Sequence, residues 1–194
     1  MKFYEIAEQL GEIKRYGTTP MLRDENVAEH SYYVALLALA LVEDYNLRHP
    51  KNPISTETVL KKAILHDLEE GVLGDIPTPI KNQPGYRENY IKKAKKVMNN
   101  IILKGLPTKI ANNWFSLWVK DKSEESGEVI KLADRLQAFL TTKREVMAGN
   151  SHMEKILVNI SNNLQTEEYM RLIEKFSLAK KFLNLEEEIK ELAA

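Results

Sequence analysis

The stretch Val59-Leu60-Lys61-Lys62-Ala63-Ile64-Leu65-His66-Asp67-Leu68-Glu69-Glu70 decides how the chain is read. Its spacing predicts a helix over 56–70, capped by Ser55, with Thr58 where a capping-box Glu would usually sit. The buried stripe runs through Val59, Leu60, Ala63 and Ile64, and its next positions are His66 and Asp67. Glu70 follows one turn later on the same side. A buried carboxylate is costly unless it is paired or bound to metal. Taken alone, a local His–Asp hydrogen bond that satisfies a core histidine explains the pair as well.

Helical periodicity continues on both sides. Residues 2–14 carry Phe3, Ile6, Ala7, Leu10 and Ile13 at helical spacing. Gly17-Thr18-Thr19-Pro20 breaks that pattern and opens an extended segment to about Asn26. Residues 27–46 are apolar on most faces, as for a central buried helix, and the prolines at 50 and 53 mark a loop. Gly71-Val72-Leu73-Gly74-Asp75-Ile76-Pro77-Thr78-Pro79 reads as an ordered turn. Further helices are expected near 87–103, 108–119, 124–148, 151–164, 166–182 and 185–193. No segment alternates with period two over strand length, so the expectation is an all-α, single-domain bundle over 1–194.

Composition narrows the chemistry. The 194 residues hold 28 Lys+Arg and 28 Asp+Glu, with 43% hydrophobic residues, which fits a globular domain. The absence of cysteine excludes disulfides, Cys-zinc sites, iron–sulfur clusters and thiol nucleophiles. Any metal must be held by His, Asp or Glu. Zero net charge argues against bulk affinity for nucleic acid. The apolar run Tyr32–Val42 is short of the ~20 residues a membrane helix needs. The N-terminal residues show no apolar stretch of the secretory type. The expectation is a soluble, cytoplasmic protein.

Two more residues are out of place in a plain bundle. His30 opens the most apolar helix, beside Tyr33, Val34, Leu37 and Leu41. Asp134 sits in Val129-Ile130-Lys131-Leu132-Ala133-Asp134-Arg135-Leu136, with Ile130 and Ala133 at helical spacing before it. Each alone suits an internal polar pair. Together with His66 and Asp67 they offer two imidazoles and two carboxylates from three helices, a set suited to a divalent transition metal with positions open for water and substrate. His49, in a Pro-rich loop, and His152, in a polar turn, are not placed to join it, which favours one ion over two.

These residues resemble the H…HD…D pattern of the HD-domain superfamily of metal-dependent phosphohydrolases, here His30, His66-Asp67 and Asp134. The likeness extends to its bacterial 5′-deoxynucleotidase branch, the YfbR-like and HDDC2-like enzymes. It is carried by Arg15-Tyr16, Glu25-Asn26-Val27-Ala28-Glu29-His30-Ser31, His66-Asp67-x-x-Glu70, Gly74-Asp75-Ile76-Pro77-Thr78-Pro79 and Lys131-Leu132-Ala133-Asp134. The motifs span about 10–145, leaving the C-terminal helices, about 151–193, without one.

The resemblance implies an HD-domain helical bundle that hydrolyses (deoxy)nucleoside 5′-monophosphates with one divalent ion, of Co, Mn, Ni, Fe, Zn or Mg, held by His30, His66, Asp67 and Asp134. Such an ion can lower the pKa of water to about 7. The resemblance makes Glu70 and Asp75 the catalytic acids and Arg15 the phosphate ligand, as befits the bidentate fork of a guanidinium. Tyr16 and Thr78 would be further substrate contacts. Tyr16 stands where the best-known bacterial relatives carry Trp beside the sugar, which predicts a softened preference for deoxyribose. A homodimer is implied as well. The alternatives are another HD phosphohydrolase, acting on a nucleoside triphosphate, a cyclic nucleotide or (p)ppGpp, and a catalytically silent nucleotide-binding module. Lys92-Lys93-Ala94-Lys95-Lys96 reads as a solvated face, and Trp114, Phe115 and Trp118 as core or subunit interface.

Overall fold

The computed structural model describes residues 2–81, 83–119 and 124–184, without the side chains of Lys2 and Thr78. The helices are α1 (Lys2–Gln9), α2 (Val27–Arg48), α3 (Thr56–Leu65), α4 (Glu70–Leu73), α5 (Thr78–Lys81), α6 (Tyr86–Val97), α7 (Thr108–Val119), α8 (Glu125–Met147), α9 (Glu154–Leu164), α10 (Glu167–Lys175) and α11 (Ala179–Leu183). A π-turn at Met98–Ile102 continues α6, and a 3₁₀ turn at Ser151–Met153 precedes α9. Among the described residues there is no strand, only two isolated bridges. The expected all-α, single-domain class holds. The helix expected at 185–193 lies outside the described residues.

α2 and α8 are the longest helices, and they pack on each other and on α3. Their facing sides build the main core, from Val34, Leu41, Val59, Ala63, Leu132 and Leu136, closed by Leu172 of α10 and by Phe176 just after it. A second cluster gathers Ile6, Leu10, Val27, Leu65, Leu68, Met98 and Ile102, with α7 against it. On α2, His30 falls between Val27 of the second cluster and Val34 of the first. On α3 and the turn after it, His66 and Asp67 fall between Ala63 and Leu68. The polar residues therefore collect at the seam where the two apolar clusters meet.

Sequence and structure part company in three places. First, α1 stops at Gln9 instead of running to 14. The following chain runs antiparallel to the segment before α2: Lys14 bridges Asn26, Arg15 N donates to Glu25 O (2.8 Å), and Val27 N donates to Ile13 O (3.0 Å). Second, α3 stops at Leu65, so His66 and Asp67 do not extend a helical stripe, and Ile64, expected inside, is 63% exposed. Residues 66–69 wind more tightly, with Leu68 N donating to Leu65 O (3.2 Å) and Glu70 N to Asp67 O (3.0 Å). Third, the stretch 71–79 is not all turn, since α4 takes in Gly71 and α5 begins at Thr78. Between them, Gly74 at φ 76° ends α4 in a conformation that favours glycine.

Candidate active site

Each of the predicted metal ligands is placed by local structure. Asn26 caps α2 through a capping box with Glu29, whose backbone N–H donates to Asn26 Oδ1 (2.8 Å), and this sets His30 in the first turn. His66 is held by its Nδ1, which donates to Ala63 O (2.6 Å). Asp134 projects from mid-α8 into the same space. The His30 and His66 Nε2 atoms are 3.4 Å apart. Asp67 Oδ2 lies 3.4 Å from His30 Nε2 and 3.1 Å from His66 Nε2, and Asp134 Oδ1 lies 3.2 Å from His30 Nε2.

The residues fit a metal by the chemistry of their donors. With Nδ1 of His66 donating to a carbonyl, its Nε2 presents a lone pair to the cluster. His30 Nδ1 lies 2.7 Å from Gln137 Oε1 and also meets Arg15 Nη1, which leaves Nε2 as the nitrogen that faces the cluster. The two imidazoles and the Asp134 carboxylate thus bring donor atoms together, with Asp67 Oδ2 close to both rings, an arrangement that suits a cation. Donors ~2.1 Å from a shared tetrahedral ion stand ~3.4 Å apart, close to the spacings found here. The donor atoms of His30, His66 and Asp134 all lie within 4.8 Å of one another. The demand for positive charge is visible in His66: burial disfavours its charged form, yet Asp67, and after it Asp134, outweigh burial and lift the imidazole to about 9. Burial likewise works against ionisation of Asp67 and Asp134, but the imidazoles win and hold both carboxyls below their usual range.

A cavity of about 410 Å³ opens from this cluster, large enough for a nucleotide. Arg15, His66, Asp67 and Asp134 form one part of its wall, with Glu70, Asp75 and Lys81 beside them. Glu70 is buried, and its Oε1 accepts from Lys81 Nζ (2.6 Å). Burial first, and the Asp67 charge second, push Glu70 up to about 8 despite Lys81. Because the Asp67 charge is the second cause, positive charge at the cluster would draw Glu70 back toward its ionised form, in which it can accept a proton. Asp75 follows Gly74 on the link between α4 and α5.

The family model for 5′-deoxynucleotidase YfbR-like proteins matches residues 2–184. The chain belongs to that family. A 5′-deoxynucleotidase of Pectobacterium atrosepticum is 32% identical over 165 residues, covering 84% of this chain and 82% of its own. One from Yersinia pseudotuberculosis is 33% identical over 164 residues, with the same coverage. Among solved structures, an HD-domain phosphohydrolase from Listeria innocua superposes with TM-score 0.72 at 23% identity, covering 93% of this chain and 84% of that one. The cyanophage S-2L HD phosphohydrolase, bound to dA and one catalytic Zn²⁺, superposes with TM-score 0.64 at 21% identity over 92% and 96% of the two chains. The HD-domain fold expected from the sequence is the fold found.

Within this YfbR-like chain the other expected residues divide. Arg15 reaches the cluster: its Nη1 donates to Gln137 Oε1 (2.9 Å), abuts His30 Nδ1, and lies 3.4 Å from Glu25 Oε2. Tyr16 is not on the cavity wall. It adopts φ 55°, lies against the Arg15 guanidinium at 5.4 Å, and buries its hydroxyl beside Thr142. The side chain of Thr78 lies outside the described residues. His49 stacks on Tyr45 and His152 is on the exposed 3₁₀ turn, both away from the cavity wall, as expected.

Sequence reasoning missed several members of the site. Lys95, read as part of a solvated face, lines the cavity together with Arg87, Tyr90 and Ile91 of α6. Trp118, assigned to core or interface, also lines it, and its Nε1 donates to Glu69 Oε2 (2.9 Å). Burial and the Asp67 charge raise Glu69 to about 7. Only the helical period of α6 and α7 could have hinted at these residues, because it puts Arg87, Ile91 and Lys95 along one line.

Proposed function

We propose that the chain is a divalent-metal-dependent hydrolase that removes the 5′-phosphate of deoxynucleoside monophosphates, giving nucleoside and inorganic phosphate. One observation carries the reading: four acceptor groups converge beside a nucleotide-sized cavity that also holds an arginine and a proton-accepting carboxylate. The names of the relatives support the substrate class. His30, His66, Asp67 and Asp134 would hold the ion. When bound, it supplies Lewis acidity toward a phosphoryl oxygen and acidifies water.

The protein groups do the rest. Arg15 binds the non-bridging phosphate oxygens and places phosphorus over the cluster. Glu70 orients the attacking water and takes its proton, while Asp75 hydrogen-bonds on the leaving-group side. The new P–O bond forms as the P–O5′ bond breaks, and the proton that Glu70 took from the water is passed on to O5′, so nucleoside and inorganic phosphate are the products. The likeness to the family supports a cytoplasmic homodimer, with the subunit count to be read by sedimentation.

The test is phosphate release from deoxy- and ribonucleoside monophosphates of each base, crossed with Mn, Co, Ni, Fe, Zn and Mg. Release that depends on added metal and favours deoxynucleotides is expected. No release with any ion would overturn the reading. A second reading has one observation behind it: Lys81, Arg87 and Lys95 line the cavity and could hold a longer phosphate chain. Deoxynucleoside triphosphates in the same panel decide it, since pyrophosphate or triphosphate would be released in place of phosphate.

A further inference from the structure

Gln137 lies on α8 one turn beyond Asp134 and is 3% exposed. Its side-chain amide makes four contacts. Oε1 accepts from His30 Nδ1 (2.7 Å) and Arg15 Nη1 (2.9 Å). Nε2 donates to Glu25 Oε1 (2.6 Å) and Thr141 Oγ1 (3.0 Å). The Thr141 hydroxyl in turn donates to Glu25 Oε1 (3.0 Å).

The two ends of an amide are nearly alike in shape, so its direction is set by its partners. Glu25 is buried, its Oε1 accepts from the Thr141 hydroxyl, and its Oε2 faces the Arg15 guanidinium, so it presents acceptors to Gln137. It therefore claims the Nε2 end of Gln137 and turns Oε1 toward His30 and Arg15. Reversed, the amide would aim N–H groups at a guanidinium and leave its oxygen facing a carboxylate. Once Oε1 faces His30, a lone pair on His30 Nδ1 would meet the lone pairs of that oxygen at 2.7 Å. Arg15 Nη1, a donor, abuts the same nitrogen, so the amide oxygen is what keeps the two apart: it takes the Arg15 N–H and, when Nε2 ligates, the Nδ1 proton.

We propose that Gln137, oriented by Glu25, is a positioning residue that fixes the ring of His30 for metal and aims Arg15 at the substrate phosphate. One oxygen registers the two sites, so losing it loosens both. This inference rests on the metal-site reading above and goes beyond it by assigning Glu25 and Gln137, which touch neither metal nor phosphate.

The experiment is a zinc titration of the metal-free full chain against a chromophoric chelator, with melting temperatures of the metal-free forms and KM for a deoxynucleoside monophosphate alongside. Gln137→Leu is expected to weaken zinc about 10- to 100-fold, the usual effect of removing the partner of a ligating histidine, and to raise KM. The paired change Glu25→Gln with Gln137→Glu keeps an acceptor facing His30 and Arg15 and a donor facing it from position 25. It is expected to restore zinc affinity to the parental level. Should Gln137→Leu fail to fold, Glu25→Gln alone takes its place, because it leaves the amide free to turn over and should weaken zinc too.

A folded single variant with zinc affinity within about twofold of the parent, whatever its melting temperature, would show a purely structural role and overturn the inference. So would a paired variant that binds zinc no better than the single one. If the parent itself takes up no zinc, the metal-site reading fails and takes this inference with it.

Discussion

Removing the Asp67 carboxylate takes one acceptor from the four proposed to hold the ion, and His66→Ala takes another. Either change is expected to abolish stoichiometric metal, while His49→Ala and His152→Ala keep it, since those rings stand away from the cluster. Elemental analysis of the purified variants reads this directly; full occupancy in Asp67→Ala would sink the ligand assignment. Glu70 and Arg15 separate chemistry from binding. Glu70→Ala leaves the four proposed ligands in place, so metal should stay while kcat drops about 10²-fold or more, the scale of a lost general base. Arg15→Ala should chiefly raise KM, with a fall in kcat if its contact tightens in the transition state. Steady-state kinetics on both variants, with metal content measured in parallel, distinguishes the roles; near-parental turnover in Glu70→Ala would remove it from the mechanism. At this scale the misplaced polar residues were readable because His30, His66, Asp67 and Asp134 each interrupt an apolar pattern. Lys81, Glu69 and Gln137 interrupt nothing. Their partners Glu70, Trp118 and His30 come from other elements, and periodicity along one helix carries no trace of such pairings.

Between helices, the site depends on how closely α4 approaches α1. A Cβ at Gly71 would stand 2.7 Å from Ile6 O and 2.8 Å from Ile6 Cγ2, so glycine is required by the backbone of α1 and not by φ. Gly71→Ala must push α1 and α4 apart, at an overpacking cost of about 1–3 kcal/mol. For a domain of this size that lowers the melting temperature by about 2–12 °C. Glu70 is the neighbouring residue, so activity should fall along with stability; an unchanged melting curve would mean that α1 yields freely. The sequence marked Gly71 only as a helix breaker. It marked α2 and α8 well, because both are long and apolar enough that packing agrees with periodicity. It overran α1 and α3, whose ends are decided by contacts the pattern does not contain: the pairing of residues 13–15 with 25–27, and the hydrogen bond from His66 to the Ala63 carbonyl. The short helices α4 and α5 lie in a Gly- and Pro-rich stretch whose composition favours turns, and four residues are too few to show a period.

Across the whole molecule, the four proposed ligands come from α2, the turn after α3, and α8, three elements far apart in sequence that meet only when both apolar clusters have formed. An unfolded chain cannot present them together, so a divalent ion binds the native state almost exclusively and stabilises it by mass action. At free metal 100-fold above its dissociation constant the gain is about 2.7 kcal/mol. With a melting temperature that moves about 2–4 °C per kcal/mol in a domain of this size, metal-loaded protein should melt roughly 5–11 °C above protein stripped with chelator. The increment should rise with the logarithm of metal concentration and vanish in Asp67→Ala, whereas Glu70→Ala, outside the ligand set, should keep it. Gln137→Leu should show a smaller increment at the same metal concentration, matching its weaker zinc binding. Thermal unfolding across a metal titration for these four proteins is the measurement. Equal melting temperatures for stripped and loaded parent protein would mean that the histidines and aspartates at the seam hold each other and not a metal ion.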